Sequence, residues 1–226
     1  MDIYKVFLLV LAFALNMTKI YSQQSMDQYK VIFTNPPQHV PTSKTPDAPI
    51  AGNGDIGVTM GGGPDSLRFY IGKNDFWRAY PVYPGGIALP GGLDILFKEL
   101  KDASYYAEQL PGSAEIKATF STKACQVHLS AWVAATANKI IIELRSDKKQ
   151  IAHVRLWTVE GNGAITAHGN SPVTWVSRSF QTTKLLSWPT HIALAMNTEK
   201  DELILNPGET CLLYTSDAAD EARSVD

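Results

Sequence analysis

Cysteine is nearly missing: Cys125 and Cys211 are the two in 226 residues. Two cysteines exclude the dense disulfide scaffold on which small secreted domains rely. Charge of one sign is missing as well. Twenty Lys+Arg against 22 Asp+Glu leave a net charge of −2, with no basic footprint for nucleic acid. The apolar run Val6–Leu15 is about half of the roughly 20 residues that a membrane-crossing helix needs. The five histidines, His39, His128, His153, His168 and His191, have no ligand-like spacing to one another or to Cys125, so no metal is expected. No GxSxG elbow is present, and helical periodicity is nearly absent. Tyr105–Leu110 alone suits a short helix, and it suits an extended segment equally well. What remains is a 45% hydrophobic chain with 16 glycines and 13 prolines, enough for a packed core with many turns.

Both ends differ from the middle. Lys5 followed by the apolar run and a more polar stretch to Ser22 reads as a signal peptide over residues 1–22. The protein is therefore expected to be exported, extracellular, and free of the membrane after cleavage. At the other end, Cys211-Leu212-Leu213-Tyr214-Thr215-Ser216-Asp217-Ala218-Ala219-Asp220-Glu221 resembles the translation of a transposase adapter used in sequencing libraries. The same reading frame continues through Asp226. Residues 211–226 are thus expected to derive from adapter DNA, and 23–210 to be the protein's own mature segment. That segment carries no net charge and one cysteine, Cys125, which sits in an alternating run and is expected to be a buried, inert thiol.

Period-two alternation runs through the middle. Ile116, Ala118 and Phe120 alternate with Lys117, Thr119 and Ser121, and Cys125, Val127, Leu129, Ala131 and Val133 with polar or small neighbours. This spacing marks strands with one buried face. Further strands are predicted at Tyr29–Phe33, Ile56–Met60, Leu67–Ile71, Leu93–Phe97, Lys139–Arg145, Ile151–Val159, Val173–Phe180, His191–Met196 and Glu202–Leu205. Gly61-Gly62-Gly63-Pro64-Asp65, Pro84-Gly85-Gly86, Pro111-Gly112, Gly161-Asn162-Gly163 and Pro207-Gly208 read as the breakers between them. Pro36 to Pro49 reads as an extended lead-in along the surface. The expected fold is all-β, a large antiparallel sandwich.

Gly52-Asn53-Gly54-Asp55-Ile56-Gly57 matches GxGxxG, but Pro46-Asp47-Ala48-Pro49 precedes it and the β-like Val58-Thr59-Met60 follows in place of a helix, so a nucleotide is not expected. A tight turn entering a strand explains these glycines better. Asp55, Asp75, Asp94 and Glu143 lie in or beside strands, and carboxylate pairs are the currency of glycoside hydrolysis. Trp77, Trp132, Trp157, Trp175 and Trp188 offer flat apolar faces of the kind that sugar rings or core residues cover.

Two segments carry a family resemblance. Asp47 to Val58, containing Gly-Asn-Gly-Asp-Ile-Gly, precedes a glycine-rich turn, and Leu67 to Trp77 follows, ending in Asn74-Asp75-Phe76-Trp77. Together they resemble the opening of the N-terminal β-sandwich in glycoside hydrolases of families 95 and 65. Ile56 stands where leucine is usual, and the second element is one or two residues shorter than the family 95 form. Ala131 to Ile141 is similar to a hairpin of the same sandwich. The resemblance implies a sandwich packed on an (α/α)6 barrel further along the parent chain. In family 95 that barrel supplies the catalytic acid and the water-activating residues for inverting hydrolysis, with α-L-fucosides as the typical substrate. No catalytic residue and no cofactor is carried over to this chain. The resemblance places Asn53, Asp55, Asn74, Asp75 and Trp77 as the substrate- or barrel-facing candidates. The expected partners are carbohydrate and the missing barrel. A free-standing carbohydrate-binding sandwich is the alternative.

Overall fold

A computed structural model of the chain describes residues 28–42, 47–78, 86–171, 173–184, 187–198 and 201–217, with residues 4 and 26. The leader apart from residue 4, the tail beyond residue 217, and Pro84-Gly85 lie outside the described residues. The strands run in chain order as β1 (Val31–Phe33), β2 (Ile50–Gly52), β3 (Ile56–Gly63), β4 (Ser66–Lys73), β5 (Trp77–Arg78), β6 (Gly86–Ile87) and β7 (Gly91–Phe97). A single 3₁₀ turn at Lys98–Leu100 follows. The chain continues with β8 (Ser104–Leu110), β9 (Glu115–Ser121), β10 (Gln126–Val133), β11 (Lys139–Ser146) and β12 (Gln150–Thr158). It closes with β13 (Ala164–Gly169), β14 (Thr174–Phe180), β15 (Thr190–Met196), β16 (Glu202–Leu205) and β17 (Cys211–Asp217).

These strands form two antiparallel sheets and a small arm. The longer sheet has the order β1-β8-β9-β10-β11-β17-β15-β14-β13, the shorter one β16-β12-β7-β4-β3-β2, and β5 pairs with β6 alone. β10 packs across β2 and β3, while β12 packs across β14 and β15. The fold is an all-β antiparallel sandwich. Alternation decides which residues meet between the sheets: Leu67, Phe69 and Ile71 face inward from β4, and Ile116, Ala118 and Phe120 from β9. Val127, Leu129, Ala131 and Val133 do the same from β10. Burying each large side chain there contributes about 1.5–3 kcal/mol. A second, smaller cluster of Phe76, Phe180 and Ile192 sits beneath the arm, with the two phenyl rings stacked at 5.6 Å.

Three local expectations are corrected or resolved. Gly61-Gly62-Gly63 is not a breaker but the end of β3, and the turn is confined to Pro64-Asp65. A Cβ at Gly62, where φ is +79°, would fall on the Ser66 carbonyl, and the Tyr70 ring lies over Gly61. The glycines are there for close approach, not for chain reversal. Tyr105–Leu110 is extended, within β8. Its alternation brings Tyr105 and Ala107 inward, and that burial outweighs local propensity. β2, β5, β6 and β13 are not among the predicted strands: the first three are two or three residues long, and β13 has few apolar residues, with Ile165 facing solvent. Of the lead-in, residues 43–46 lie outside the described residues; 36–42 are exposed or half-buried, whereas Ala48 and Pro49 are buried, and the Gln38 amide and His39 Nδ1 both reach Asp47 Oδ2, at 3.0 and 2.9 Å. Cys125 is buried and free.

β17 lies inside the longer sheet, hydrogen-bonded to β11 on one side and β15 on the other. Leu213 and Thr215 are buried, while Leu212 and Tyr214 face out. The slot between two strands asks only for alternation and β-forming side chains, and Cys211–Thr215 supplies both.

The outer face of the shorter sheet is tied by one carboxylate. Asp94 on β7 is 2% exposed. Arg68 on the neighbouring β4 donates to its Oδ1 and Oδ2 at 2.7 and 2.8 Å. Arg155 on β12, the other neighbour, donates to Oδ2 at 3.0 and 2.9 Å. The register places all three directly opposite one another. Fork-to-carboxylate pairing of this kind is strong and directional. Asp94→Ala leaves two guanidiniums side by side without their shared acceptor and is expected to cost about 3 kcal/mol. Urea unfolding checks this: the midpoint should fall with the slope unchanged, and a loss under about 1 kcal/mol would show that the three charges contribute no more than a surface pair.

Candidate functional site

The turn from β2 into β3 is built by Asn53. Its Oδ1 accepts from the Asp55 and Ile56 amides at 2.9 and 2.8 Å. Its Nδ2 donates to the Ala134 carbonyl at 2.9 Å, across the sandwich on the β10–β11 turn. The flanking glycines have separate reasons. Gly54 takes φ +93°, which an L side chain resists, whereas a Cβ at Gly52 would stand 2.8 Å from the Ile56 carbonyl.

β4 ends beside this turn. Leu67, Phe69 and Ile71 point inward, and by the same alternation so does Lys73, which is 4% exposed. An isolated ammonium there would be costly. Its Nζ lies 2.7 Å from Asp55 Oδ1 and 3.1 Å from Asp75 Oδ1. Burial penalises the Lys73 charge, but the hydrogen bonds and charges of Asp55 and Asp75 together outweigh it and raise its pKa above the usual lysine value. Asn74 completes the junction. Its backbone amide donates to the Asp55 carbonyl at 2.9 Å, its Nδ2 to the Gly54 carbonyl at 3.3 Å, and its own carbonyl accepts from Trp77 Nε1 at 2.9 Å.

The structure therefore brings all five candidates, Asn53, Asp55, Asn74, Asp75 and Trp77, to one junction. Beside it opens a cleft of about 560 Å³ lined by Ile50, Asp55, Lys73, Asn74, Ile87 and Leu110 among others. Trp77 does not line the cleft but stands half-exposed on the arm opposite Ile87. The other two flagged carboxylates are elsewhere: Asp94 on the outer face of the shorter sheet, and Glu143 beside Arg145 at 3.7 Å on the longer one. Asp55 and Asp75 share the one Lys73 ammonium. That arrangement locks two turns together and presents a polar rim. It does not separate a proton donor from a base, as glycoside hydrolysis requires. Among the described residues, no group of three or more His, Cys, Asp or Glu is placed to hold a metal ion.

Lys73 is the residue that sequence reasoning missed. The signal was a lysine in step with Leu67, Phe69 and Ile71, immediately before Asn74-Asp75. Gln109 was missed as well; its Oε1 accepts from the Ile50 amide at 3.0 Å at the cleft floor, and a glutamine at a strand end carries no such signal.

No family model and no curated protein matches this chain. Among solved structures, one described as "Putative kojibiose phosphorylase from human microbiome" is similar, with a TM-score of 0.44 and 12% identity. The alignment covers 85% of this chain and 32% of that one, so the chain spans about a third of the length of the protein it matches.

Lys73→Met leaves Asp55 and Asp75 facing each other and is expected to cost about 3 kcal/mol. Asn53→Ala removes three hydrogen bonds at a cost of about 2 kcal/mol. Because the folded pKa of Lys73 is raised, its contribution is complete below the unfolded lysine value of about 10.4 and fades as pH climbs through the folded value. The difference in stability between wild type and Lys73→Met, followed by urea unfolding from neutral to alkaline pH, should shrink only above that point.

Proposed function

We propose that this chain carries the N-terminal sandwich of an exported glycoside hydrolase whose catalytic barrel lies in the part of the parent protein that follows residue 210. The observation that carries the reading is the convergence of both family-like segments on one junction. Residues 50–57 and 74–77, twenty residues apart in sequence, share Lys73, Asn74 and the cleft beside them. In this reading the half-exposed Trp77, Ile87 and Ile50 face the barrel, and Asp55, Asn74 and Asp75 form the polar edge that meets it or a bound sugar. The chemistry belongs to the barrel, so the fragment itself hydrolyses nothing. α-L-Fucosides are the substrate class that the resemblance favours. Residues 211–226 are assigned to adapter DNA, and the slot now filled by β17 is assigned to the parent's own residues after Thr210.

Sequencing the parent transcript past codon 210 tests this directly. The expected result is a short alternating segment suited to the β17 slot, then several hundred codons with helical periodicity. A stop within a few strands would overturn the reading and favour a free-standing carbohydrate-binding sandwich. The purified chain is expected to release no product from aryl glycosides, and turnover abolished by no change outside residues 23–210 would contradict the division of labour.

A further inference from the structure

A second cleft, of about 390 Å³, opens where the end of β12 meets the β13–β14 hairpin, and it shares no lining residue with the cleft at the Lys73 junction. Two tryptophans line it, Trp157 and Trp175, and each lies flat against a glycine directly across the strand pair. Trp157 is opposite Gly92, where a Cβ would come within 2.7 Å of the indole Cζ2. Trp175 is opposite Gly169, where a Cβ would come within 2.6 Å of Nε1. The two indoles are not equivalent. The Arg68 guanidinium sits 4.8 Å from the Trp157 ring centroid, and the Tyr70 ring meets it edge-on at 5.5 Å, so Trp157 is a fixed wall. Trp175 rests on Gly169 of β13, has only the small Ala195 opposite it on β15, and is half-buried.

The rim is polar. Glu160, His168 and Asn170 line it, and their side chains make no hydrogen bond or ion pair among the described residues. Arg155 also lines it, with its charge already engaged by Asp94 at 2.9 Å. Asp201 adds a second carboxylate. A flat apolar surface ringed by unengaged donors and acceptors matches a ligand with one apolar face and hydroxyls around its edge. Two carboxylates, with no unengaged cation among the described residues that line the cleft, disfavour an anion. We propose that this cleft binds a neutral pyranose residue of a glycan, stacked on Trp175 and hydrogen-bonded by Glu160, His168 and Asn170. This site is separate from the Lys73 junction and needs no catalytic barrel. It therefore stands or falls independently of the glycosidase reading.

The test titrates the full chain with neutral malto-, cello-, xylo- and fuco-oligosaccharides, and with galacturonate oligosaccharides and a nucleoside monophosphate as anionic probes. Binding is read by calorimetry and by tryptophan fluorescence. At least one neutral probe is expected to bind with a Kd of about a millimolar or tighter. Trp175→Ala should weaken it by about tenfold or more, Asn170→Leu by about threefold, and the exposed Trp188→Ala not at all. Asn170 is exposed, so its variant keeps the test valid if Trp175→Ala fails to fold. Absence of binding by every neutral probe at about 10 mM, preference for an anionic probe, or equal affinity in Asn170→Leu and wild type would each overturn the proposal.

Discussion

A buried charge must find its counter-charge where it stands, and Lys73 makes the candidate site depend on that rule. The alternation that sends Leu67, Phe69 and Ile71 into the core carries Lys73 inward with them, at the rim of the sheet. Water cannot solvate it there, so Asp55 from the turn before β3 and Asp75 from the turn after β4 close on it. Once they do, the turn before β3 and the turn after β4 are tied to each other through Lys73.

Asp94 follows the same rule on the opposite face. It occupies an outward position that is nonetheless covered, because Arg68 and Arg155 fold over it from the neighbouring strands. Arg68 also reaches Trp157, so this ionic cluster extends into the wall of the second cleft. The shorter sheet thus has charged groups organised on both faces: at the rim of the inner face they lock turns, and on the outer face they brace an aromatic ring. The longer sheet instead carries ordinary exposed pairs such as Lys117–Glu115 and Arg145–Glu143, which contribute little.

Glycine serves in both regions by letting another group come close. Gly52 and Gly54 shape the turn around Asn53, and Gly92 and Gly169 make room for indoles. A cross-strand glycine beneath an aromatic ring repairs the packing that the missing side chain would leave. It also fixes the ring's orientation, which is what a stacking surface needs.

Most of the fold was legible in the sequence. Period-two alternation located the strands at Ile116–Phe120, Cys125–Val133 and Lys139–Arg145, because burying one face of a strand leaves that mark directly on the residues. The five candidates at the Lys73 junction were legible as a motif, though not their arrangement. What alternation does not encode is which strands become neighbours, and three features depended on that. Gly61–Gly63 stayed in β3 because Tyr70 and Ser66 lie across from it. Tyr105–Leu110 became a strand because β1 and β9 flank it. Trp157 and Trp175, 18 positions apart and on different sheets, came to line one cleft because β12 packs against β14. The sequence by itself determined the strands and their buried faces, since those follow from local spacing. Pairing order, counter-charges and the shared clefts belong to the tertiary structure, since they depend on contacts between residues far apart in the chain.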